Sequence, residues 1–125
     1  EECGDWGYES LHHAIEERAI EEMKHAEKLI SRILFLEGTP VVDKLNKMHI
    51  AGTINGMLEN DHKAEVEAIA NYNAAIKLSA DLLDHGTKEL LNSILKDEEA
   101  HLDFIEEQID QIKQMGLEQY LTTVK

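Results

Sequence analysis

Three long segments of this chain have the composition of helices that bury one apolar face. Residues 8–36 contain neither Gly nor Pro and are dominated by Leu, Ala, Ile, Glu and Lys, which favours one long helix. Residues 87–115 have the same character, and so do residues 53–83 apart from Gly56 in the first turn. Helices of this kind bury their apolar faces against one another, so the sequence predicts an all-α fold and a single domain over residues 1–125.

The connections predict how these helices are joined. Gly38 and Pro40 end the first helix. Residues 41–52 show no clear apolar period, which indicates a long connection. Asp84-His85-Gly86 reads as a tight break, which would make the second and third helices antiparallel. A four-helix bundle with one long crossover is wired in this way. Residues 117–125 can add one or two helical turns, so the chain supplies three long helices and a short one.

Ionisable residues occupy the middle of all three apolar stripes. At alternating steps of three and four residues the stripes are Leu11, Ile15, Arg18, Glu22, His25 and Leu29; Ile54, Leu58, Asp61, Glu65, Ala68 and Tyr72; and Leu91, Ile94, Glu98, His101 and Ile105. Burying an uncompensated carboxylate costs several kcal/mol or more, and a bound cation removes that cost.

The two Glu-x-x-His pairs point to a specific ligand chemistry. Residues at i and i+3 share one helix face, so Glu22 can act with His25 and Glu98 with His101. Carboxylate and imidazole ligands suit iron, manganese or zinc. One such pair alone is usually solvated, but two pairs and the mid-stripe Glu65 together predict a dinuclear metal site. The sequence alone supports no paired ligand geometry for His12 and His13 or for Asp61 with His62.

Charge and cysteine content exclude several classes of protein. The net charge of −14 disfavours nucleic acid as a partner and attracts metal cations. Cys3 is the only cysteine, which fits a reducing compartment, and no apolar run reaches the length of a membrane span. The start shows no basic-then-apolar signal segment. These features favour a cytoplasmic protein without a membrane partner.

Four motifs resemble those of the bacterioferritins. EMKHA at 22–26 and RILFLEGTP at 32–40 look like the family's second helix and the start of its crossover, while LKDEEAH at 95–101 and MGLEQYL at 115–121 look like its fourth helix and short C-terminal helix. The likeness covers the whole chain. It implies a ferritin-like four-helix bundle with a long crossover and a short C-terminal helix, whose first bundle helix is absent from this chain.

The resemblance also implies roles in a ferroxidase centre. Glu22 and Glu98 would bridge two irons, His25 and His101 would each complete one iron, and Glu65 would be a terminal carboxylate. The family's remaining terminal Glu lies on its first helix and has no counterpart here. Three explanations remain open: a separate or cleaved segment supplies that helix, another subunit supplies it, or the site is incomplete. The first is favoured because every other ligand is retained.

Met23 lies about 100° around the helix from Glu22 and therefore off the metal-facing stripe. It shares a second apolar face with residues at helical spacing, namely Ile20, Ala26, Ile30 and Leu34. Taken alone, this face predicts a subunit interface. By resemblance, Met23 would be an axial ligand of a b-type haem, held between two subunits of a homo-oligomer that are related by a two-fold axis.

The function implied by the resemblance is iron storage and detoxification. Fe(II) would be oxidised by dioxygen or peroxide, and the product would be deposited as mineral in a 24-subunit shell. Two alternatives stay open: a non-catalytic haem-binding or structural subunit of such a shell, and a ferritin-like di-iron oxidase that stores no mineral. Haem binding by the pure protein would speak against the second alternative.

Overall fold

The computed structural model describes all residues, 1–125, and contains five helices and no strand. The helices are α1 (Glu2–Asp5), α2 (Glu9–Phe35), α3 (Ile54–Asp81), α4 (His85–Met115) and α5 (Leu117–Thr123). None of them is both long and apolar enough to cross a membrane. The all-α class, the long connection between the first two long helices and the short C-terminal helix are confirmed.

The turn between α3 and α4 lies earlier than the sequence predicts. It consists of Leu82–Asp84, and His85 and Gly86 already belong to α4, so the predicted break at residues 84–86 is wrong by two residues. The cause is the side chain of Asp84, which accepts hydrogen bonds from Thr87 N at 3.1 Å and from Thr87 Oγ1 at 2.5 Å. Such a cap satisfies the first amides of a helix and fixes where it begins.

The short helix α1 was not predicted. It spans four residues, too few to show an apolar period, and it ends in a turn in which Gly7 adopts a φ of 83°. The amide of Tyr8 donates to the carbonyl of Cys3 at 2.8 Å, and the side chain of Cys3 is buried. Glycine suits this turn because it adopts positive φ without steric cost.

Residues 1–49 and 121–125 form one compact unit, built on α1 and α2. The start of α2 is bonded to the C-terminus of the chain: Ser10 N donates to Val124 O at 3.1 Å, and Ser10 Oγ donates to Lys125 O at 2.9 Å. Leu11 and Val124 are buried. The last residues of the chain thus serve to hold the N-terminal end of α2.

Residues 50–120 form the second unit, in which α3 and α4 pack as an antiparallel hairpin. Its buried apolar residues are Ile54, Leu58, Leu91, Ile94, Ile105 and Tyr120. All but Tyr120 belong to the stripes read from the sequence. The hairpin core therefore consists of the predicted helix faces. Glu65 and Glu98 lie on the same faces and are buried with them.

Candidate metal centre

The α3–α4 hairpin brings three of the predicted ligands together. Glu65 comes from α3, and Glu98 and His101 come from α4. Glu65 is 5% exposed and Glu98 is 1% exposed. His101 Nδ1 lies 4.0 Å from Glu65 Oε1 and 4.0 Å from Glu98 Oε2. One ligand atom of each residue lies within 4.8 Å of the other two.

Helix geometry and hairpin packing place these side chains in different ways. Glu98 and His101 share a face of α4 because they are three residues apart. Glu65 is far from them in sequence and reaches them because α3 packs along α4, where Leu58 and Ile94 are buried. The cluster therefore depends on the register of one helix against the other.

The two separations at His101 suit one bound cation. Carboxylate oxygens and imidazole nitrogens bind a transition metal at roughly 2.0–2.2 Å, so two ligands of one ion are at most about 4.4 Å apart. Both separations at His101 Nδ1, 4.0 Å each, lie below this limit. Two buried carboxylates also raise the free energy of the folded chain unless positive charge accompanies them. Geometry and charge agree with the chemistry that the sequence predicts.

The second predicted ligand pair lies on α2. His25 Nδ1 is 3.7 Å from Glu22 Oε1, as expected for side chains one turn apart. The His25 side chain is 3% exposed, whereas that of Glu22 is 40% exposed. The pair has the correct ligand types and spacing, and one of its members remains accessible to solvent.

Met23 lies on the surface of α2. It is 61% exposed, and two other members of the predicted second apolar face are exposed with it, Ile20 at 42% and Leu34 at 58%. The thioether is thus available to a group bound at this surface. An apolar surface stripe on an otherwise acidic chain is typical of a contact with another molecule.

Two further histidines have partners that the sequence analysis did not predict. His13 Nε2 lies 3.2 Å from Glu17 Oε1, one turn along α2, and His62 Nε2 lies 3.1 Å from Glu106 Oε1 across the hairpin. The first pair has a signal in the sequence, the i,i+4 spacing. The second has none, because its members are 44 residues apart.

Comparison with known proteins places the chain in a family. The family described as Ferritin-like domain matches residues 2–115. A bacterioferritin of Brucella melitensis is 40% identical over 116 residues, which make up 93% of this chain and 72% of that protein. The chain belongs to the bacterioferritin family. A bacterioferritin of Rhodobacter capsulatus is 39% identical, over 90% of this chain and 70% of its own length.

A bacterial ferritin of Synechocystis is similar to the same extent, 38% identical over 94% of this chain and 76% of its own length. The resemblance read from the four motifs is thereby confirmed. The roles that the resemblance implies for Glu22, His25, Glu65, Glu98 and His101 stay predictions. Their joint action on metal is a matter of proposal.

Proposed function

We propose that this protein stores iron by oxidising Fe(II) at a dinuclear centre and depositing the Fe(III) product as mineral. The observation that carries the proposal is the buried cluster of Glu65, Glu98 and His101 in a chain of the bacterioferritin family. Family membership supports iron storage by a ferritin-like protein. The cluster supports the chemical step, because its ligands suit iron and are held close together inside the protein.

In the proposed centre, by the roles that the resemblance implies, Glu22 and Glu98 would be shared by the two irons, His25 and His101 would each bind one of them, and Glu65 would be a terminal carboxylate. Each Fe(II) gives up one electron, and dioxygen takes up both electrons and two protons to form hydrogen peroxide. With peroxide as the oxidant, two electrons and two protons yield two waters. The carboxylates stabilise Fe(III) more than Fe(II), since the ion's positive charge increases in the step.

The proposal extends to the assembly and the haem. Copies of the chain form a 24-subunit shell, and the net charge of −14 concentrates Fe(II) at its surfaces. Met23 from each of two chains would hold a b-type haem between them, and its 61% exposure supports this role. A carboxylate from a further helix, on another segment or another subunit, would complete the coordination of one of the two irons. We place this activity in the cytoplasm.

The test is a titration with Fe(II) under anaerobic conditions, followed by exposure to air and measurement of near-ultraviolet absorbance. We expect a break at roughly two irons per chain. Glu98→Ala should abolish the fast phase of oxidation because it removes a bridging ligand that is 1% exposed. Glu99→Ala, at the exposed neighbouring position, is the matched control and should leave the rate unchanged.

An unchanged rate in Glu98→Ala would refute the dinuclear mechanism. The exposed Met23 supports a second function, a non-catalytic haem-binding subunit of the shell. That function would be indicated by pure protein that contains haem yet shows no fast phase of iron oxidation. Fast oxidation without haem and without retained mineral would instead indicate a ferritin-like oxidase that does not store iron.

A further inference from the structure

A second group of ligand-type side chains lines a groove on the surface of the α3–α4 hairpin. The groove has a volume of about 440 Å³ and is lined by residues of both helices, namely Glu59, His62, Glu106, Ile109, Asp110 and Lys113. All six belong to the unit of residues 50–120. None of them is a ligand of the proposed dinuclear centre, so iron oxidation there does not account for the ionisable groups of the groove.

An imidazole and a carboxylate already meet across this groove. His62 Nε2 lies 3.1 Å from Glu106 Oε1, although the two residues are 44 positions apart in the chain. Two ligands of one tetrahedral metal ion are roughly 3.3–3.6 Å apart, since each bond is roughly 2.0–2.2 Å long. The two side chains therefore need to separate only slightly to hold an ion between them.

Glu59 is placed to act as a third ligand. It lies three residues before His62, so the two side chains share a face of α3 and repeat the Glu-x-x-His spacing of the predicted ligand pairs. Glu59 also lines the groove. An imidazole beside two carboxylates suits Zn(II) and related transition metals, whereas Mg(II) and Ca(II) prefer oxygen ligands alone.

Charge and access favour a cation that enters from solvent. The side chains of His62 and Glu106 are 37% and 53% exposed, so an ion can reach them without opening the hairpin core. The only lysine of the groove, Lys113, lies 3.8 Å from Asp110 Oδ1, which opposes its charge. Glu59 and Glu106 therefore leave the surroundings of His62 negatively charged.

The groove is separate from the buried cluster of Glu65, Glu98 and His101. Glu106 comes five residues after His101, hence about 140° around α4. Glu98 is 1% exposed, whereas more than half of the Glu106 side chain is accessible to solvent. An ion held by Glu106 therefore does not share the ligands of the buried cluster.

We propose that His62, Glu106 and Glu59 bind one divalent transition-metal ion of the Zn(II) type in this groove, with water completing its coordination. The ion would join α3 to α4 at the surface of the hairpin. The site takes all its protein ligands from these two helices. It therefore needs neither α2 nor another chain, and it does not depend on the proposed dinuclear centre.

Zn(II) binding to the full chain, measured by competition with a chromophoric chelator, tests this site. We expect the wild-type chain to bind one Zn(II) more than His62→Ala. Loss of a hydrogen-bond partner of a metal ligand typically costs 10–100-fold in affinity, so loss of a ligand itself should cost at least as much. Glu106→Gln and Glu59→Gln should therefore each weaken the binding of this ion by about tenfold or more.

Nuclear magnetic resonance of the histidine ring nitrogens locates the ion. The signals of His62 are identified by their absence in His62→Ala, and they should shift as Zn(II) is added to the wild-type chain. His85→Ala, at an exposed histidine, is the first control. Glu107→Gln is the second, since it removes the same charge about 100° around α4 from Glu106. Both controls should bind Zn(II) as the wild-type chain does.

Several outcomes would overturn the site. These are equal Zn(II) stoichiometry in the wild-type chain and His62→Ala, or His62 signals that do not move at saturating Zn(II). Wild-type affinity in Glu106→Gln would refute a site shared by two helices, and wild-type affinity in Glu59→Gln would refute the three-ligand set. Equal weakening in Glu107→Gln would reveal a general effect of charge. Zn(II) held by the buried cluster does not confuse the comparison, because Glu65, Glu98 and His101 are present in every variant.

Discussion

Tyr120 joins α5 to α4 through a buried hydrogen bond whose contribution can be measured. Its hydroxyl donates to Gln108 Oε1 at 2.7 Å, and the two residues are 0% and 7% exposed. Tyr120→Phe removes the hydroxyl and keeps the ring. The amide oxygen of Gln108 then remains buried without this donor, which costs about 1–3 kcal/mol of unfolding free energy.

The same reasoning predicts that the two partners are coupled. Gln108→Leu should destabilise the chain by a similar amount because it removes the acceptor of the hydroxyl. In the double variant Tyr120→Phe with Gln108→Leu, two apolar groups face each other and no polar atom is left without its partner. Its loss of unfolding free energy should therefore be smaller than the sum of the two single losses, by about 1–3 kcal/mol. Gln114→Leu, at an exposed position of α4, should change stability by at most about 0.5 kcal/mol.

Urea unfolding followed by far-ultraviolet circular dichroism measures these differences. All variants must be compared at one protein concentration, because self-association adds to the apparent stability. Losses that simply add in the double variant would refute the reasoning, since the hydrogen bond would then make no contribution of its own. A destabilising Gln114→Leu would show that substitutions along α4 act through something other than burial.

Three further predictions concern the turn, the core and the surface. Leu83 has a φ of 58° and is 77% exposed, so Leu83→Gly should raise the unfolding free energy by about 0.5–1 kcal/mol in urea; a loss would contradict backbone strain at this turn. Ile105→Ala, at a position 1% exposed, should lower it by about 2–5 kcal/mol in the same assay, and a loss below 1 kcal/mol would mean that the site collapses around the cavity. Met23→Leu should abolish haem binding, measured by visible absorbance after reconstitution, while Met48→Leu at another exposed methionine should not; equal binding by both variants would reject Met23 as a ligand.

The sequence by itself determines the three long helices and the hairpin faces that are buried, but not the four-residue helix α1 or the exact turn between α3 and α4. Apolar period and composition predict the three long helices, and the same stripes mark the ligands on their buried faces. Glu98 and His101 could be paired without a structure because three residues of helix separate them, a local relation that every α-helix repeats. The positions of Glu22 and His25 follow from the same rule.

The relations between helices are decided only by tertiary structure. The 4.0 Å between His101 and Glu65, the pairing of His62 with Glu106 and the bonds from Ser10 to the C-terminus join residues far apart in the chain. Helical periodicity fixes a side chain's direction around its own axis, but not the rotation or axial register of that helix against another. These are set by how the apolar side chains of the two helices interlock, a property of both surfaces together.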